Sequence, residues 1–338
     1  MASKTVILPD TAIAAIANDE VIHTYVQHYY ADLVESTSRD GKRFTSRLIP
    51  YTSWGKVKLF TPLAAAFLDN GATRYLFYLD NKNVINDMVC QKGGAWKKGD
   101  LGDLHIVTAH YSKLAAVTLP SSPETIYVYY QTPDIAGDIR EVHGRDSDWK
   151  PDTHDFGDPP LFGTSLAAVL PEAGLTIHSP SGDKIPVVFF QEDNLKLAEL
   201  QNQAIVDFLE LKSTTPAASP HTPLAAVDDG QDAYLFYTSD ENTIRRIKID
   251  QNGQLIGPLR VEETTPKGNL AAVIWKGSLY GSETEEVIVF YQPQYNNIVT
   301  QTVSDRKTLS TVRFTFSGSG KSRTLSGPVV EGWELNFE

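Results

Sequence analysis

The chain has 338 residues, 41% of them apolar, a single cysteine and a formal net charge of −12. Such a chain can bury a large core, and one thiol, Cys90, excludes an internal disulfide or a multi-cysteine zinc site. Acidic charge without a basic cluster makes nucleic acid and anionic membrane surfaces poor partners. The N-terminal run Val6-Ile7-Leu8 is too short for a signal peptide and no stretch reaches membrane-spanning length, which predicts a cytoplasmic protein.

A small apolar run recurs along the chain: Ile13-Ala14-Ala15-Ile16, Leu63-Ala64-Ala65-Ala66, Leu114-Ala115-Ala116-Val117, Leu166-Ala167-Ala168-Val169, Leu224-Ala225-Ala226-Val227 and Leu270-Ala271-Ala272-Val273. The copies lie roughly 46 to 58 residues apart, a spacing that denotes repeated supersecondary units rather than separate domains. Each run is followed by a polar loop, a β-prone segment such as Ile126-Tyr127-Val128-Tyr129-Tyr130-Gln131, a turn and a second strand such as Ile139-Arg140-Glu141-Val142. A fourth segment is marked by tryptophan at Trp96 and Trp149. Four strands per unit and six units predict an all-β, six-bladed β-propeller of four antiparallel strands per blade. The predicted blades of this single domain, 1–338, are about 11–60, 61–111, 112–164, 165–221, 222–268 and 269–338. The alanine pairs suit innermost strands, where blades crowd together.

In chain order, the first unit runs from Ile13 through Val21–Gln27 and Asp32–Glu35 to Trp54. The second turns on Asp80-Asn81-Lys82-Asn83, residues that tolerate left-handed backbone angles. The third has a longer turn, 132–138, and a tail ending in Pro159-Pro160. The fourth departs most, with a long loop at 172–184 and no tryptophan; the fifth is the most regular; the sixth inserts a loop from Trp275 to Gly281, expected to cover one face of the ring. The C-terminal strand Val312–Phe316 is expected to pair with Val6–Leu8 and close the ring, leaving few free edges.

The order Lys58–Ala65, Trp96-Lys97-Lys98-Gly99, Ser112–Ala116 and Val128-Tyr129-Tyr130-Gln131 with Ile139-Arg140-Glu141 resembles the fungal fucose-specific lectins of the six-bladed propeller type, over nearly the whole chain. The resemblance implies sugar sites between blades, each with an arginine on the second strand, a glutamate on the third and aromatic faces. The arginine places here hold His23, Tyr75, Tyr127, Val187, Tyr234 and Ile288. The glutamate places hold Glu35, Asp87, Glu141, Glu199, Arg246 and Thr300, and Trp96 and Trp149 remain as stacking faces. Carboxylates that have lost their cationic partner make a poor clamp. Fucosylated glycans are therefore the alternative ligand, bound by a lectin with altered or weakened sites such as Tyr127, Glu141 and Trp149.

The eight histidines show no metal-ligand spacing, and no phosphate loop, nucleophile elbow or dinucleotide fingerprint is present, so neither metal nor cofactor is expected. Tyr75, Tyr127 and Tyr234 in the arginine places read first as packing between blades, and second as the lining of an apolar pocket for a small hydrophobic substrate. The lectin-fold hetero-Diels–Alderases of fungal tropolonic sesquiterpene biosynthesis resemble this chain in that respect. That resemblance implies a cofactor-independent pericyclase joining a tropolone- or phenol-derived quinone methide to a humulene-type terpene, by alignment and acid–base help. The candidate catalytic residues are Tyr127, Glu141 and Tyr75, and the candidate substrate contacts are Trp149, Tyr234, Arg246, Trp275 and Trp96, spread over different blades. Association of the ring into a homodimer stays open.

Overall fold

The computed structural model describes residues 7–18, 21–41, 43–50, 57–120, 123–152, 160–170, 184–201, 204–207, 217–264, 268–275, 286–292, 297–303 and 308–315. Within them the strands form six four-stranded antiparallel sheets, each a meander in chain order. The first comprises β1 (Ala14–Ala17), β2 (Ile22–Gln27), β3 (Leu33–Ser38) and β4 (Thr45–Ile49). The second comprises β5 (Leu63–Leu68), β6 (Thr73–Leu79), β7 (Ile85–Gln91) and β8 (Lys97–Lys98). The third comprises β9 (Leu114–Leu119), β10 (Thr125–Gln131), β11 (Ile139–Gly144) and β12 (Lys150–Pro151). The fourth to sixth sheets span 167–207, 224–263 and 270–315.

The alanine-rich runs are the first strands of the six sheets, and these strands touch one another in cyclic order, the sixth returning to β1. This is a β-propeller, as the repeat predicts. Strand alternation explains the alanine pairs. The first alanine of each pair, as at Ala14, Ala64, Ala115, Ala167, Ala225 and Ala271, is buried against the following sheet, and the second is half-buried and packs against the cluster shared with the preceding one. A larger side chain at the first position would force neighbouring sheets apart.

Six apolar clusters fill the six junctions between consecutive sheets. The cluster that closes the ring joins Ile13, Val26 and Phe44 to Ala271, Trp275 and Phe290, with Phe44 edge-on to Phe290 at 6.1 Å. Among the described residues closure is thus by side-chain packing, and the expected pairing of the chain ends is not found there. Ile7 bridges His28 within the first sheet, and the strand Thr308–Thr315 pairs with Asn297–Val303 in the sixth; Val6 and Phe316 lie outside the described residues. Trp275 likewise ends a strand and is 1% exposed in this core rather than part of a loop over the ring. Tyr280 and Trp54 lie outside the described residues.

A hydroxyl fastens most sheets. Thr11, Thr61, Ser112, Thr164 and Thr222, each just before a first strand, accept the backbone N–H of Gln27, Leu79, Gln131, Gln191 and Thr238 at 2.7–2.9 Å. Each hydroxyl thus satisfies a donor at the end of a second strand that the ladder would leave open.

Candidate functional site

The pairing register puts the six glutamate places in one column: Glu35 faces Tyr25, Asp87 faces Phe77, Glu141 faces Tyr129, Glu199 faces Phe189, Arg246 faces Phe236 and Thr300 faces Phe290. Those members whose side chains are described lie at the junction with the following sheet. The junctions have diverged chemically.

At the first junction, between sheets one and two, Glu35 is fully buried yet surrounded by donors. Arg47 on β4 donates from Nε to Oε2 at 2.6 Å, and Trp96, from the second sheet, donates from Nε1 to the same oxygen at 3.2 Å. Oε1 accepts from the Tyr25 hydroxyl at 3.3 Å, lies 3.1 Å from His23 Nδ1, and forms an ion pair with Arg74 Nε at 3.3 Å. The Arg74 guanidinium lies over the Trp96 ring, 5.7 Å from its centroid, and its Nη2 donates to Cys90 Sγ at 3.1 Å. Burial alone would raise the Glu35 carboxyl, but the His23 hydrogen bond and the Arg74 and Arg47 charges outweigh it and hold it at about 2. Burial lowers His23, so that ring is neutral at neutral pH, and burial raises Cys90, which stays a thiol.

This geometry corrects the expectation that the carboxylate stands without a cation. His23 occupies the arginine place, but two guanidiniums reach Glu35 from elsewhere. Strand alternation is the reason for Arg74: Tyr75 faces the third sheet, so its neighbour Arg74 points back toward the first. Arg47 is the cross-strand partner of Glu35. Trp96 is 4% exposed, covered by Arg74 and edge-on to Tyr25 at 5.8 Å, so it is a buried donor rather than an open stacking face.

At the second junction Asp87, 1% exposed, accepts the Leu101 N–H at 3.0 Å on Oδ1, while Oδ2 has no donor among the described residues. The position corresponding to Arg47 is Gly99, where any Cβ would collide with the Asp87 carboxylate. Burial is the main reason that Asp87 rises to about 7. Trp149 is buried edge-on against Phe77 at 5.8 Å and Tyr75 at 6.3 Å. Tyr75 is buried too, donating from its hydroxyl to Asp146 Oδ1 at 2.9 Å. Tyr75 and Trp149 therefore form core, and Trp149 belongs to a different junction from Tyr127 and Glu141, contrary to the grouping drawn from the sequence.

The third junction is the more open one. Tyr127 stacks on His143 with centroids 5.2 Å apart, and His143 Nδ1 lies 3.2 Å from Glu141 Oε1. Tyr127, Glu141 and His143 are all half-buried, and the hydrogen bond to Glu141 raises His143. Two of the three expected catalytic residues thus meet, through a histidine that the sequence did not single out. At the fifth junction Arg246 lies 5.4 Å from the centroid of the Tyr234 ring, both buried. A separate cavity of about 540 Å³ is lined by Asn18, Ala65, Phe67, Ala116, Val117 and Leu170, among others; none of the expected site residues lines it.

The family model described as fungal fucose-specific lectin matches residues 7–312. A fucose-specific lectin of Aspergillus oryzae is 26% identical over 281 residues, covering 79% of this chain and 84% of that protein. One from Aspergillus fumigatus is 24% identical over 309 residues, covering 88% and 92%. Among solved structures, AofleA from Arthrobotrys oligospora superposes with a TM-score of 0.74 at 17% identity, covering 94% of this chain and 89% of that one. The Aleuria aurantia lectin, described as a six-bladed β-propeller with a novel fucose recognition mode, superposes with a TM-score of 0.71 at 20% identity, covering 94% and 99%.

Proposed function

The chain belongs to the fungal fucose-specific lectin family, and on that premise we propose that it is a carbohydrate-binding protein, a six-bladed lectin-type propeller whose best-formed site is the first junction. The observation that carries this reading is the contact between Glu35 and Trp96 across two sheets, with Arg74 stacked on the indole and paired to the carboxylate. Glu35 and Trp96 are themselves buried, so they position the guanidiniums, and Arg47, half-exposed, is the group that can offer charge-assisted hydrogen bonds to the oxygens of a hydroxyl-rich ring. The cation here comes from Arg74 of the adjacent sheet instead of position 23. Because relatives are named fucose-specific lectins, fucosylated glycans are the ligand class we propose.

The cycloaddition reading gains no observation of its own. Tyr75, Tyr127 and Tyr234 sit at three separate junctions, two of the three are core residues, and none of them lines the separate cavity. A glycan array at high protein density, with fucosylated ligands prominent, tests the proposal. Binding that free fucose competes away supports it. A blank array overturns it and sends the protein to quinone-methide and terpene substrates.

A further inference from the structure

Among the described residues, the first junction brings together one carboxylate and two guanidiniums. Glu35 is held ionised by its neighbours, His23 and Cys90 are neutral at neutral pH, and Arg47 and Arg74 are both cations, so the cluster carries a net charge of about +1. Lys98, two residues beyond Trp96, does not change that sum because Asp103 pairs with it. A local excess of positive charge is notable in a chain of net charge −12, where bulk electrostatics would repel an anion.

The acceptor capacity of the site is also spent. Glu35 already meets His23, Tyr25, Arg47, Arg74 and Trp96, so an incoming ligand finds donors rather than acceptors. The donor at the mouth is Arg47, which meets Glu35 through Nε and also hydrogen-bonds the Cys90 thiol, yet keeps its side chain 51% exposed. Arg74 stands behind it, 12% exposed and fixed by Trp96 and Cys90. A neutral sugar presents hydroxyls that must both give and accept, and this surface answers only half of them.

We propose that the first junction selects a glycan carrying an acidic group, a uronate carboxylate or a sulfate ester, which Arg47 receives with Arg74 behind it. The inference rests on the carbohydrate reading and names the ligand class for that same site. A planar guanidinium fork matches carboxylate and sulfate oxygens, and such charge-assisted pairs are about twice as strong as neutral hydrogen bonds.

The test uses the whole chain and four immobilised probes: a uronic-acid oligosaccharide, its carboxyl-reduced form, a sulfated fucosyl oligosaccharide and its desulfated form. At least one acidic probe is expected to bind about tenfold more tightly than its neutral counterpart. That preference should shrink as sodium chloride is raised and vanish in Arg47→Ala, with Arg47→Lys keeping part of it. Retention on the uronate alone or the sulfate alone identifies the acidic group. Equal binding of acidic and neutral probes, or a preference that survives in a folded Arg47→Ala, overturns this inference and leaves the carbohydrate reading standing. Binding of none of the four, together with a blank array, overturns both.

Discussion

Gln131 and Gly163 join the third sheet to the turn that leads into the fourth: the Gly163 N–H donates to Gln131 Oε1 at 2.9 Å, while Gln131 Nε2 donates to the Leu161 carbonyl at 3.2 Å. The same clasp recurs where Gln27 holds Lys58 and Phe60, and where Gln191 holds Ser219 and His221. In each case a fully buried carboxamide satisfies one donor and one acceptor of a turn whose held residue has a positive φ. Gln131→Ala leaves both turn groups unpaired and is expected to cost about 2–4 kcal/mol. Urea unfolding followed by tryptophan fluorescence measures it. A loss below about 0.5 kcal/mol would mean that water replaces the clasp.

The repeat made the ring legible because it rests on local pattern: alanine pairs, strand alternation and turns recur whatever the neighbouring sheet holds. The column from Glu35 to Thr300 was legible for the same reason. Ion pairs across the column were not. Arg47 lies on a fourth strand where the repeat has weak sequence marks, and Arg74 acts on the sheet before its own, so neither falls where a single-blade pattern looks. Burial of Trp149 was also hidden, since a tryptophan beside a carboxylate place reads alike as an open face or as core. What decided it was the bulk of Tyr75 and Phe77, whose rings pack edge-on against it.

Glu35 should prove a stability residue as well as a site residue. Glu35→Ala leaves the mostly buried Arg74 without its carboxylate and is expected to cost about 3–5 kcal/mol. The carboxyl stands at about 2 in the folded chain against an ordinary value of 4.5. A depressed carboxyl contributes stability that is complete above the unfolded value and is lost as pH falls toward the folded one. Denaturation midpoints of the native chain should therefore drop between about pH 4.5 and pH 2 more steeply than those of Glu35→Gln. Parallel slopes would show that Glu35 is not held ionised.

Tyr75, expected from sequence to serve catalysis, is predicted to act as a fastener. Its hydroxyl donates to Asp146 and accepts the Asp146 N–H at 3.3 Å, tying the second sheet to the outer hairpin of the third. Tyr75→Phe keeps the ring that packs on Phe77 and Trp149 and loses only these bonds, so about 1 kcal/mol of stability should go. Glycan binding should stay within about twofold of the native chain, because the first junction does not use the hydroxyl. A larger binding loss at unchanged stability would return Tyr75 to the site.

Asp87 makes the opposite pH prediction to Glu35. Its carboxyl is buried under Gly99, keeps one oxygen without a donor among the described residues, and stands at about 7 against an ordinary 3.8. Between those two values the folded chain retains a proton that the unfolded chain has released, so the unfolded state binds fewer protons and stability falls as pH rises. Above about 7 both states are ionised and the loss is complete. Asp87→Asn keeps an oxygen for the Leu101 N–H and removes the titration. Relative to the native chain it should gain stability on going from pH 4 to pH 8, by an amount on the order of 1–4 kcal/mol. Thermal unfolding of both proteins across that range, at fixed ionic strength, supplies the comparison. If the two curves stay parallel, Asp87 is ionised at neutral pH, and a donor outside the described residues must reach Oδ2.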